Sequence, residues 1–165
     1  MAALIGIGLG GAALAVAPNS SDQDFYTKAA IGGMAEVESG KLAQAKGTAK
    51  DIRDFGAMMV SDHTRAGETL KSLAAGKRLT LPTELDDRNK AVLRELEMAS
   101  GASFDVTYLR AQVMAHEDTE ALLKQQIMSG KDGDAQAWAS ATLPTVTAHL
   151  KMVRALLRSV PTGDR

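Results

Sequence analysis

The sequence predicts an all-α protein: a four-helix bundle with one additional short helix. Three observations carry this. Period-2 alternation is absent, and alanine, leucine, lysine and glutamate dominate, a composition of helices rather than strands. Aromatic residues make up only 4% of the chain, which disfavours a β core. Four apolar-periodic segments each run for about 26–28 residues, and rods of such equal length, roughly 40 Å, pack best side by side.

The chain of 165 residues is the length of one domain. Residues 1–17 read as a signal peptide, leaving 18–165 as a single helical domain. Ala2 to Ala17 carries no charge and ends in the small-residue triplets Ala13-Leu14-Ala15 and Ala15-Val16-Ala17. No Lys or Arg precedes this run, and Pro18 follows the second triplet, so an uncleaved anchor is the competing reading. The expected location is the periplasm or another exported compartment. No later stretch is long and apolar enough to cross a bilayer.

The first long helix is expected over 22–47, with Ser21 and Asp24 spaced as a capping box. Gly47-Thr48 breaks the chain, and Thr48 with Asp51 opens a second helix over 49–76. A short helix over 84–100 follows Pro82, capped by Thr83 and Asp86 and closed by Gly101. Ser103 caps a helix over 104–129, and Gly133-Asp134 introduces the last, over 134–159. Short turns make the first and last pairs antiparallel hairpins. The roughly 27-residue connection between them is long enough to return along the bundle, which is the ferritin-like order with one long crossover. A plain up-down bundle with the short helix as an end cap is the alternative.

Twenty acidic residues against nineteen basic ones give a net charge of -1, which excludes a strongly basic nucleic-acid binder. There is no cysteine, so disulfides, thiolate chemistry and Cys-ligated metals are excluded. No glycine-rich phosphate loop is present, and nothing in the sequence indicates a protein partner.

The chain has three histidines, and each falls on an apolar stripe. His63 lies in the row Ile52, Phe55, Met59, Ala66, Leu70 and Ala74. His116 shares a row with Tyr108, Val113, Thr119, Leu123 and Ile127, and His149 with Trp138, Ala141, Thr145, Met152 and Leu156. In the first helix Glu36 sits among small residues, so a carboxylate there can be enclosed; a solvated Glu36 with Ile31, Met34 and Val37 inward is the competing reading. All four positions fall within about 4 Å of the bundle's mid-plane.

Two readings of this constellation stay open. In one, His63, His116, His149 and Glu36 hold a single transition metal, zinc or copper, with Asp62 and Glu117 as outer partners. Met59 and Met152 on the same stripes would lean towards copper, although methionine ordinarily just fills cores. In the other, the same groups form a metal-free hydrogen-bond network in a structural or interaction protein of the cell envelope. A di-iron oxidoreductase fits less well. It requires Glu-x-x-His pairs, and Val60, Val113 and Val146 stand three residues before the histidines, with Glu120 the one carboxylate on a histidine stripe. No catalytic residue and no reaction are assigned.

The chain also resembles the bacterial domain-of-unknown-function family numbered 4142. The segments that carry this run from Asp24-Phe25 through Glu36-Val37, Gly40-Lys41-Leu42-Ala43 and Phe55 to Met59-Val60-Ser61-Asp62-His63-Thr64. They continue with Gly101-Ala102-Ser103-Phe104-Asp105, Tyr108, Ala115-His116-Glu117, Leu143-Pro144 and His149-Leu150. The resemblance implies a ferritin-like, exported helical bundle and no established reaction.

Overall fold

The computed structural model describes residues 20–160, so the expected signal segment 1–17 lies outside them. They form five helices: α1 Ser20–Lys46, α2 Lys50–Gly76, α3 Asp87–Met98, α4 Gly101–Ser129 and α5 Gly133–Ser159. Among the described residues there is no strand. The four long helices stand close to where the periodicity puts them. No helix among the described residues is long and apolar enough to cross a membrane.

The helix starts depart from expectation in instructive ways. Thr48 does not cap α2. Ala49 occupies the cap position without a side-chain bond, while the Thr48 backbone N–H and hydroxyl both turn to the Asp105 carboxylate of α4. Asp86 alone caps α3, accepting from the Asn89 N–H, so residues 84–86 lie outside that helix. Gly101 opens α4 instead of closing α3. Its φ of +57° suits glycine and turns the chain sharply from one helix into the next. Asp132 caps α5 through the N–H groups of Asp134 and Ala135.

Named contacts fix the helix directions. Asp22 accepts from Gln126, Ser39 from Gln112, and the Lys46 ammonium lies over the Phe104 ring, so α1 and α4 are antiparallel. Ala66 faces Trp138, and Lys77 bridges Asp132 and Asp134, so α2 and α5 are antiparallel too. α1 packs most closely on α2, and α4 on α5. Lys46 also donates to the Leu96 and Glu97 carbonyls, tying the end of α3 to the end of α1.

The α1–α2 pair approaches backbone to backbone. A Cβ on Gly56 would sit 2.7 Å from the Gly40 carbonyl oxygen and 2.8 Å from the Ala43 Cβ. Gly→Ala inside a helix ordinarily stabilises. Gly56→Ala is expected to do the opposite, by about 1–3 kcal/mol in urea unfolding, because the helices must separate to admit the methyl.

The apolar core has two parts. One, around Ile52, Phe55, Met59, Phe104, Leu109 and Val153, fills the end near the α1–α2 turn. The other, around Phe25, Tyr26, Leu70, Leu123, Ala135 and Val146, fills the opposite end. Between them lies a polar layer containing Glu36, Ser39, Gln112, His116 and His149, all buried, together with His63. In α5 the inward stripe is Ala135, Ala139, Val146, His149, Leu150 and Val153. Ala141 and Thr145 are exposed and Met152 is 42% exposed, so the expected row there is turned by about one residue.

Candidate metal centre

Each of three helices brings one imidazole to the polar layer. His63 comes from α2, His116 from α4 and His149 from α5. The ring centroids are 5.6 Å apart for His63–His116, 5.8 Å for His63–His149 and 5.5 Å for His116–His149, nearly an equilateral triangle. One nitrogen from each ring lies within 4.8 Å of the other two.

The hydrogen bonds define the tautomers. The His116 Nδ1–H donates to the Gln112 carbonyl at 2.9 Å, one turn back on its own helix. Its Nε2 is then a bare acceptor, buried and unpartnered among the described residues. His149 Nε2–H donates to Asp62 Oδ2 at 3.1 Å, which leaves its Nδ1 bare and unpartnered. The His63 Nε2 is likewise sealed and unpartnered, although part of that residue reaches the surface. Among the described residues no hydrogen bond joins any two of the three rings.

The electrostatics keep these nitrogens unprotonated. Burial pushes the His63 pKa down to about 3, and the two neighbouring imidazoles lower it further. Burial also lowers His116, with the Gln112 carbonyl opposing it. In His149 burial and His116 lower the pKa, and Asp62 opposes them. At neutral pH the layer therefore presents lone pairs.

Glu36 is buried, as expected, but is not in the histidine cluster. Its Oε1 lies 3.7 Å from His116 Nδ1, the nitrogen already turned to Gln112. The predicted fourth ligand thus stands behind one ligand instead of beside three. Burial raises its pKa to about 7, with the Gln112 side chain opposing. Glu117 is also no partner of the site: it pairs with Arg154 on the surface. Glu120 turns to Lys124 and Thr147.

A profile for the family described as Domain of unknown function (DUF4142) matches residues 10–156. The chain belongs to this family. No curated protein matches the DUF4142 chain. Two solved structures share its fold. A crystal structure of a DUF305 fragment from Deinococcus radiodurans is 7% identical, with a TM-score of 0.77 over 87% of this chain and 99% of that one. A conserved hypothetical protein from Mycobacterium tuberculosis is 13% identical, with a TM-score of 0.67 over 88% and 96%. At these identities the likeness concerns the helical fold alone.

In this DUF4142 chain one supporting residue, Gln112, was not legible as such, whereas Asp62 does stand as an outer partner, though of His149. Gln112 anchors His116 by its carbonyl and donates by its side chain to Ser39; its position four before His116 was the available signal. Asp62 serves His149 across the bundle instead of its neighbour His63, and Arg65 holds its other oxygen at 3.4 Å. Asp62→Asn removes the carboxylate that fixes the His149 tautomer. If a metal binds, titration calorimetry is expected to show affinity reduced about 10–100-fold. Unchanged affinity would remove Asp62 from the site.

Proposed function

We propose that this protein binds one transition metal ion, zinc or copper, through His63, His116 and His149. The observation that carries this is three sealed, unpartnered ring nitrogens from three helices, with the opposite nitrogens of His116 and His149 occupied by a carbonyl and a carboxylate. Second partners of this kind are what orient imidazole ligands. A metal-free network accounts for the layer less well, because three neutral imidazoles packed together with no bond between them leave buried groups unsatisfied. Three imidazoles coordinating at ~2.0–2.1 Å draw inward from the present spacing and leave a position for a further ligand. Glu36, behind His116, acts as an outer partner in this reading. Met59 is buried near the layer, whereas the exposure of Met152 removes one of the two thioethers that leaned towards copper.

The helix directions support a ferritin-like order, with α2 and α4 parallel and the crossover passing through α3. Di-iron chemistry has little support, since Val60, Val113 and Val146 hold the positions a Glu-x-x-His pair would need. The apolar segment Ala2–Ala17 supports export to the cell envelope.

Protein purified without chelator and analysed for metal is expected to carry, or to take up on titration with zinc or copper, one equivalent per chain. No bound metal and no uptake would overturn the proposal and leave the polar layer as a packing device of an envelope protein. The mass of the chain recovered from the exported fraction tests whether the N-terminal segment is removed.

A further inference from the structure

Three more buried side-chain atoms in the polar layer have no hydrogen-bond partner among the described residues: Glu36 Oε2, Gln112 Oε1 and the Tyr108 hydroxyl. Their residues are only 3%, 2% and 0% exposed. They belong to one neighbourhood. Tyr108 and Gln112 are successive turns of α4, and Gln112 Nε2 donates to Ser39 Oγ at 3.1 Å. Ser39 Oγ in turn donates to the Glu36 carbonyl at 3.2 Å. Burial raises the Tyr108 pKa, and the charge of Glu36 raises it further.

Leaving one such atom unpaired costs free energy comparable to a lost hydrogen bond, and three together are rare in a native interior. Their chemistry specifies what would satisfy them. A carboxyl oxygen and an amide oxygen accept, and a phenol donates. One molecule that donates two hydrogen bonds and accepts one serves all three. We propose a second binding site in the polar layer, formed by Glu36 Oε2, Gln112 Oε1 and the Tyr108 hydroxyl, for one small neutral hydroxylic ligand of the size of water. This site does not depend on the metal reading.

The donor set argues against ions. Glu36 repels an anion. A divalent cation would find a single carboxyl group and no second charged ligand among Glu36, Gln112 and Tyr108. Glu36 lines a groove of about 760 Å³ between α1, α3 and α4, with Gly32, Ala35, Ala111 and Ala115 along its small-residue walls. Adding a Cβ to Gly32 would meet nothing within 4 Å, so the groove is open beside this carboxyl-bearing turn of α1. A ligand held by Glu36 Oε2 would fix the carboxyl with Oε1 towards His116 Nδ1, linking the two sites through one side chain.

The test uses metal-stripped, full-length protein. A high-resolution crystal structure is expected to show one ordered peak within about 3.2 Å of all three oxygens. Tyr108→Phe is expected to lower the thermal midpoint by roughly 2–4 °C, the loss of one satisfied hydrogen bond. Its effect is expected to shrink in a Gln112→Leu background, because both act through the same molecule. The absence of a peak, or a Tyr108→Phe midpoint equal to or above the wild type, overturns the site. A peak with metal-like anomalous scattering overturns the neutral-ligand assignment.

Discussion

Zinc or copper at a hundredfold excess over its dissociation constant is expected to stabilise the wild-type protein by about 2.7 kcal/mol, or roughly 8 °C in thermal midpoint. His116→Ala is expected to respond to neither metal. His116 is the sharpest position for this test. It is 1% exposed, and its ring lies within 5.6 Å of both other imidazoles. Its Nδ1 is committed to Gln112, so Nε2 is the one nitrogen it can offer. Removing it leaves two imidazoles from opposite hairpins, too few for a closed shell. The comparison is internal: each protein is measured with and without metal, so any loss of packing on truncation cancels. An equal metal-induced shift in wild type and variant would show binding elsewhere on the chain.

In the metal-free state Glu36→Gln is expected to gain stability over the wild type as pH rises. The Glu36 carboxyl has an ordinary pKa of 4.5 and one of about 7 in the folded chain. Its favourable contribution is therefore fully present below 4.5 and lost as pH climbs through 7. Above that, the folded state holds a buried carboxylate that the unfolded state hydrates freely, a difference of about 3 kcal/mol. Glutamine keeps the shape and never ionises. Urea unfolding across pH 4–8 is expected to give near-equal stabilities at the acid end and a widening advantage for the variant up to neutrality. The histidines run the other way: their lowered pKa values give stability that is full above 6.5 and lost as pH falls, towards about 3 for His63. That effect is common to both proteins and drops out of the difference. A pH-independent gap would mean that Glu36 is solvated.

The long helices were legible because an apolar stripe sustained over seven turns has one reading. Their starts were not, since a cap competes with the rest of the molecule. The carboxylate that takes Thr48 comes from Asp105, on α4, and no local pattern announces it. The histidines were legible for the same reason as the helices: each interrupts an apolar row at mid-height. The direction of Glu36 was not. α1 carries small residues on several faces, so its stripe fixes height along the axis better than rotation about it. That rotation sets the carboxylate behind His116 instead of in front of it. Gln112 was not legible because an amide on an inward stripe reads as a break in the pattern, and its bond to His116 runs through the backbone carbonyl, which no side-chain pattern marks.

The two hairpins also have a consequence for the order of folding. α1–α2 and α4–α5 are held by contacts between neighbours in sequence, whereas the imidazole triangle takes one corner from the first hairpin and two from the second. Local pairings close cheaply and early, and distant ones wait on the loop between them. The triangle is therefore expected to close only when the two hairpins dock, which φ-values at α2 and α5 core positions would test. Its completion marks the moment at which the chain acquires a single interior.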